Sequence, residues 1–577
     1  FSGNTVQICP VGALTSTSYR FKARPWDLKS TRSTCNGCPT GCSIELNSSQ
    51  NKMLRILGVD NDAVNQGWMC DKGRYNFEYL NSDSRLKTPL KMTDNELVEI
   101  EIQDVYSELA EFIKDRQTKV NFLLGSNLTN EDYVAFREFS KTISQSERSF
   151  YLNDDLLYKG FFGENIELAK IDDLNSSDAI VVWAEDLKEK LPVLYLRIRQ
   201  AVKNGVKLVV FGHTNETLSD IADVFYGKDI VSENFEILKD LSKMKEINNL
   251  VVGKNITAIL GKSTPYQADE SITKLFEFLN SNANSKVLNA YSKGNTYGAF
   301  QTLENLKGLN DFVNDISKDN TDLLFIVGAD PIGRSVYSNQ IKSIIKSINT
   351  VVTLDNFNHE TSELSDYVVP ISSTLGEKEG TFTNIEFRTS RIEKLVPSPG
   401  QTVSDWEFIT SLMNFAGLKA EANSLEDLNR KAYENLDSSL SPVFDNLDKP
   451  SNLDGMINIS KPKISSSENK LSKTMFFTGE KLYGDSATER HSDSISMLGS
   501  KKFIEVSESV VEKYNLTSGS CTLTQDELEV TVSYEVNNNF PNDLVYIPTN
   551  RRELNKFDFS REILIIPTQV KEALNVN

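Results

Sequence analysis

The sequence predicts a multidomain α/β protein with mainly parallel sheets, preceded by a cysteine-bearing domain and followed by a β domain. Three observations carry the prediction. Four cysteines gather between residues 35 and 70. From about residue 100, short apolar runs alternate with amphipathic helical patterns, as expected of strands covered on both faces by helices. From about residue 498 the pattern changes to closely spaced short strands. At 577 residues the chain is too long for one core, so two to four domains are expected.

The cysteines read Cys35-Asn-Gly-Cys38-Pro-Thr-Gly-Cys42, with Cys70 after 27 further residues. Three thiolates from one tight loop and a fourth returning from elsewhere suit the corners of a 4Fe-4S cluster. Gly37 and Gly41 permit positive φ, so that backbone N–H groups can turn toward the cluster sulfurs, and Pro39 stiffens the loop. Zinc is the alternative, although zinc sites usually pair two short Cys knuckles. A disulfide pair is the weakest reading, because the spacing in a long chain without a signal segment suggests a reducing compartment. Short strands are expected at Ser43–Leu46 and Met53–Val59.

The α/β region follows. Asp104–Arg116 sets Val105, Leu109, Phe112 and Ile113 on one helical face. Val120–Leu124 reads as a strand, and Thr129–Asp132 opens a helix with a capping-box-like start. Strands are predicted at Asp178–Ala184 and Val206–Phe211, flanking a helix Leu191–Lys203. More are predicted at Ile256–Leu260, Leu323–Val327 and Thr350–Leu354. Ligand sites in such sheets form at strand ends. The candidates are Gly125–Asn127, Phe211–His213, Gly328–Pro331 and Asp355-Asn356, none of which carries a dinucleotide or P-loop fingerprint.

Residues 418–480 are polar and poor in aromatics and read as a surface excursion. Beyond 498, strands are expected at Phe503–Val506, Cys521–Thr524, Leu528–Val536, Leu544–Pro548 and Glu562–Ile566, with a short helix at Ser507–Tyr514. The boundaries are 1–30, 31–88 (cluster domain), 89–417 (α/β lobes), 418–497 (polar excursion) and 498–577 (β domain). A net charge of −19 disfavours nucleic-acid binding. No apolar run reaches transmembrane length. His213, His359 and His491 are scattered, and each reads as a surface or loop residue.

The segments Cys9-Pro-Val-Gly-Ala-Leu14, Arg24-Pro-Trp26, the cysteine quartet, Cys70-Asp-Lys-Gly73 and Val545–Asn550 together resemble the large iron–sulfur subunit of bacterial NADH:quinone oxidoreductase, respiratory complex I, in the molybdopterin oxidoreductase superfamily. The resemblance implies a molybdopterin-oxidoreductase-like fold with an N-terminal 4Fe-4S domain, α/β lobes and a C-terminal double-psi-like β barrel. It implies Cys35, Cys38, Cys42 and Cys70 as cluster ligands, with one-electron transfer as the chemistry. Cys9 would be the orphan ligand of a second 4Fe-4S cluster. Its other ligands would lie upstream of Phe1, in the rest of a ferredoxin-like domain of which residues 1–30 are the tail, so the chain is expected to be an N-terminally truncated fragment. Partners would be other peripheral-arm subunits, including the flavin-bearing NADH-oxidising one. The location would be the cytoplasmic side of the bacterial inner membrane, with membrane contact only through partner subunits.

Residues 359–391, with Glu377–Asn384 and Arg388, resemble the region that helps hold a pterin dinucleotide in molybdenum and tungsten enzymes. No cysteine lies between 71 and 520 to ligate the metal, and Phe387 stands where the superfamily has glycine. No molybdopterin is therefore expected, the signature being kept for folding. Lys72 would tune the cluster potential by its charge or cap its turn. The rival is a stand-alone molybdenum or tungsten dehydrogenase, for example of formate.

Overall fold

A computed structural model describes residues 1–114, 118–143, 149–154, 167–183, 186–212, 216–226, 245–261, 279, 282, 284–316, 321–433, 474–499, 501–559 and 561–568. The N-terminal part is a three-stranded antiparallel sheet, Lys29–Thr34, Ser43–Ser49 and Lys52–Gly58. Its second hairpin turns at Gln50 and Asn51, both at positive φ (51° and 61°), the mirror-image turn whose twist suits paired strands. The first two strands are joined by the cysteine loop. The Cys35 N–H donates to the Cys42 carbonyl at 2.9 Å, closing it.

Two doubly wound sheets form the body. The larger has eight strands in the spatial order 306–307, 150–152, 120–124, 323–327, 350–355, 367–370, 90–93, 96–99. The first six are parallel, and the hairpin Leu90–Thr93/Glu96–Glu99 adds an antiparallel edge. The smaller sheet has six parallel strands in the order 224–226, 207–211, 179–183, 256–260, 285–289, 167–168. Their central strands are buried at every position, for example Leu323–Val327 and Ala179–Trp183. This is why they read as continuous apolar runs. Phe122 stacks on Phe150 and Phe325, with Phe136 and Phe139 edge-on, at the heart of the larger core.

The helix expected near 104–116 runs Ile102–Lys114 and buries Val105, Tyr106, Leu109, Ala110 and Ile113. Phe112, expected on that face, is instead exposed. It lies at the rim of the buried arc, whose centre is set by Tyr106 and Ile113. The expected end of this helix at residue 116 falls outside the described residues.

The C-terminal domain is a six-stranded mixed sheet in the order 475–479, 544–548, 503–506, 528–536, 520–525, 564–567. Its first strand, Met475–Gly479, comes from within the stretch read as a polar excursion. It pairs in parallel with Leu544–Pro548. The same stretch also holds a helix, Leu425–Tyr433; residues 434–473 lie outside the described residues.

The chain winds outward in both directions from the pair Val120–Leu124/Leu323–Val327, which makes this the switch point of the larger sheet. Crevices at the carboxyl ends of strands open at such points. The two glycines there meet closely: a Cβ on Gly125 would run into the Gly328 carbonyl, and Gly328 has φ +58°.

Candidate functional site

Cys35, Cys38, Cys42 and Cys70 line one pocket of about 40 Å³, walled on its apolar side by Met69, Pro192 and Val193. The first three come from the loop between the strands Lys29–Thr34 and Ser43–Ser49. Cys70 arrives at the start of the helix Asp71–Tyr75, where its Sγ accepts the Gly73 N–H at 3.4 Å. A Cβ on Gly73 would lie 3.1 Å from Cys35 Sγ and 3.6 Å from Cys70 Sγ, so the site is built around a residue without a side chain. Gly41 has φ +63°, the left-handed conformation that the loop reading anticipated, whereas Gly37, expected to share it, does not adopt it.

Burial raises all four thiols, and proximity to one another raises Cys35, Cys42 and Cys70 further. Cys70 is pushed up to about 11. The Lys72 ammonium pulls the other way on Cys35, Cys38 and Cys70. Without a metal, the thiols are protonated at neutral pH, and loading the site releases protons. Cys9 stands apart, its Sγ against the Val11 carbonyl at 2.9 Å.

Lys72 lines this pocket and also a second, larger cavity of about 200 Å³. Three of the four strand-end loops singled out from the sequence converge on that cavity: Gly125–Asn127, Gly328–Asp330 and Asp355-Asn356. The fourth loop does not line it, and His213 lies outside the described residues. The cavity is crowded with compensated charge. Lys72 Nζ is 3.0 Å from Glu489. Glu480 lies 3.6 Å from Lys293 and 3.8 Å from Arg334. Burial disfavours the Glu480 and Glu489 carboxylates, but these cations overcome it and hold Glu489 at about 2 and Glu480 well below the usual range.

His359 lies in a loop, as the sequence reading allowed, but not at the surface: it is 2 % exposed, with Nδ1 3.3 Å from Asp330 and Nε2 3.2 Å from Asp355. Burial opposes its charge; the two carboxylates prevail and raise it to about 10. His491 is half-buried and stacks on Phe357, with ring centroids 4.5 Å apart.

The signature 377–391 is almost entirely internal. Glu377 makes a bidentate pair with Arg85 (2.9 and 2.8 Å), tying the end of the cysteine domain to the lobes. Lys378 Nζ bridges Asp132 (2.6 Å) and Asp405 (2.5 Å). Glu131 accepts from the Thr381 N–H and hydroxyl, both at 2.7 Å. Phe387 adopts the left-handed φ of 55° that a glycine would take, and its buried ring packs edge-on against Tyr297 at 5.2 Å.

Lys293, Arg334, Glu480 and Glu489 were not singled out from the sequence. Only Glu489 carries a local signal, the Ser486-x-x-Glu489 capping box. That pattern announces a helix start and says nothing about Lys72.

Among the described residues no helix is long and apolar enough to cross a membrane. Comparison with known proteins is consistent across the chain. It is 22 % identical over 660 aligned residues to the G 2 subunit of the NADH-quinone oxidoreductase of Rhizobium meliloti, an alignment taking in 96 % of this chain and 74 % of that protein. It is 24 % identical over 505 residues to the NADPH-Fe(3+) oxidoreductase subunit alpha of Geobacter sulfurreducens, taking in 72 % of this chain and 59 % of the relative. The fold is similar to that of acetylene hydratase from Pelobacter acetylenicus, with a TM-score of 0.64 at 12 % identity over 90 % of this chain and 92 % of that one. Residues 28–82 match the molybdopterin oxidoreductase Fe4S4 domain. Residues 85–415, more than half of the chain, match the molybdopterin oxidoreductase family itself, and the chain belongs to that family.

Proposed function

We propose that this chain is an electron-transfer and scaffold subunit of the peripheral arm of NADH:quinone oxidoreductase, with one 4Fe-4S cluster on Cys35, Cys38, Cys42 and Cys70. The observation that carries the reading is four thiols on one pocket inside a matched Fe4S4 domain. The residues fit the group: four sulfur donors, glycine where a side chain would intrude, and a backbone N–H aimed at Cys70 Sγ. When bound, such a cluster accepts and passes on single electrons. The chain's own part is to exclude water with Met69, Pro192 and Val193 and to set a positive charge beside the thiols with Lys72.

The name of the Rhizobium relative supports NADH-quinone oxidoreductase as the assembly; the flavin-bearing NADH-oxidising subunit as partner and the cytoplasmic face of the inner membrane as location are part of the proposal and follow from the family resemblance alone. The name of the Geobacter relative supports a second reading, the same electron-transfer role in a complex supplied by NADPH.

The second cavity takes no pterin dinucleotide in this reading. Its cations are paired with the chain's own carboxylates, and the phosphates of such a cofactor would meet Asp330, Asp355, Glu480 and Glu489. Phe387, expected from the sequence to crowd that site, does not line the cavity; its ring is buried against Tyr297 instead. The paired charge weighs against the rival reading as a formate-type dehydrogenase, which needs that cofactor.

The test is anaerobic reconstitution of the chain followed by iron and sulfide analysis and low-temperature EPR of the reduced protein. Uptake of about four irons with an EPR signal supports the reading. Uptake of one zinc and no iron refutes it. Stoichiometric molybdenum with pterin fluorescence, in protein from metal-supplemented cells, would restore the rival. Co-purification with an NADH-oxidising or an NADPH-oxidising flavoprotein separates the two assemblies.

A further inference from the structure

Lys72 projects from the first turn of the helix Asp71–Tyr75, two residues after Cys70. A lysine ammonium on a four-carbon stem has no position of its own; its partners give it one. Two partners of Lys72 come from a segment some four hundred residues away. Its Nζ donates to the Leu482 carbonyl at 2.8 Å and lies 3.0 Å from Glu489 Oε1.

Glu489 is built to be a fixed acceptor. Its side chain is 2 % exposed. Gly484 N–H donates to Oε1 at 2.9 Å, and Ser486 donates its hydroxyl to Oε2 at 2.6 Å and its N–H at 3.3 Å. The turn is closely packed: a Cβ on Gly484 would lie 2.7 Å from Asn550 Nδ2 and 2.9 Å from Glu489 Oε2. The order of charges matters as well. Lys72 lines both the thiol pocket and the larger cavity, whereas Glu489 lines the larger cavity alone. The ammonium therefore borders the thiol pocket, whereas its carboxylate partner does not.

We infer that Glu489 is a positioning residue for the cluster: it pins the Lys72 ammonium against the thiol pocket, so that the C-terminal part of the chain helps set the reduction potential of a group bound by the N-terminal part. The inference rests on the four-cysteine cluster proposed above. A reduced cluster carries one more negative charge than an oxidised one, and a nearby fixed cation in a poorly screened site favours it. Without Glu489 only the Leu482 carbonyl of these two partners holds the ammonium, which then samples positions farther from the thiols and contributes less.

The experiment is an EPR-monitored redox titration of the reconstituted full chain as wild type, K72Q, E489Q and the double variant. The expected result is a fall in midpoint potential on K72Q that is at least twice as large with Glu489 present as with E489Q, a coupling that independent charges would not produce. Should E489Q lose the cluster, E489D keeps the charge on a shorter arm, and K72Q should then shift the potential less than it does in the wild type. Equal K72Q shifts in the wild-type and E489Q backgrounds overturn the inference, as does no shift on K72Q at all or an undiminished shift in E489D. A wild-type chain that takes up no iron and gives no signal would overturn the cluster reading itself, whereas a full signal with additive shifts overturns this inference alone.

Discussion

Replacing Lys378 with methionine offers a quantitative test of what the signature 377–391 is for. Among the described residues Lys378 Nζ is the one cation paired with both Asp132 (2.6 Å) and Asp405 (2.5 Å), and both carboxylates are fully buried. Burial pushes Asp405 up even with Lys378 beside it, and Asp132 adds to the effect. K378M leaves two buried carboxylates facing each other, and the cheapest remedy is to protonate one of them. Taking a proton onto a carboxyl with an ordinary pKa of about 3.9 costs about 4 kcal/mol at pH 7 and about 1.5 kcal/mol at pH 5, at 1.36 kcal/mol per unit. The sign follows from proton counting. The folded variant binds one proton more than the unfolded chain, so its stability falls as pH rises above the unfolded value. In the wild type Asp405 is itself held at about 7, so it takes up the same proton at low pH and the two proteins diverge chiefly above pH 7. Urea unfolding followed by circular dichroism at pH 7 and pH 9 should show the variant's penalty growing with pH, with wild type as reference. K378M/D405N should recover much of the loss, since an Asn amide can donate to Asp132. A penalty equal at the two pH values, or below about 1 kcal/mol at pH 9, would refute the argument and return the triad to the class of weakly contributing ion pairs.

Three further outcomes are expected. C38S should remove most of the iron from the reconstituted chain, whereas C9A should leave iron content unchanged, because Cys9 lies against Val11 and outside the thiol pocket; iron analysis checks both. His359 has a folded value of about 10 against the ordinary 6.5, so its stabilisation is complete below about pH 6.5 and is lost as pH rises toward 10. Stability should fall by about 1.4 kcal/mol per pH unit in that window, and H359Q should flatten the slope in pH-dependent unfolding. At Phe387, F387A should cost about 3–5 kcal/mol for the lost buried ring. F387G should cost about 1 kcal/mol less than F387A, because the left-handed φ of 55° strains alanine and not glycine; an alanine variant as stable as the glycine one, measured by denaturant unfolding, would refute this.

Local pattern determined a good deal of this protein. Strands such as Val120–Leu124 and Leu323–Val327 form where their apolar runs predicted them, because a strand buried on both faces leaves a continuous record in sequence. The cysteine quartet was equally legible, since a multi-thiolate site needs a short loop and one return, and both leave fixed spacings. Glycine also spoke locally at Gly41, where the loop requires positive φ. The strand-end loops were visible as candidates, but their convergence on one cavity was not, because strand order within a sheet is decided by how the chain crosses over. Tertiary structure alone decided the electrostatics. His359 reads as a loop histidine until Asp330 and Asp355 close on it from two different strand ends. Glu480 and Glu489 sit in a stretch whose composition reads as polar surface, yet their carboxylates meet Lys72, Lys293 and Arg334 from far along the chain. Periodicity and spacing report what a residue does for its own helix, strand or turn. A Coulomb partner hundreds of residues distant leaves no mark on either, and only the packed fold brings the two charges within 4 Å.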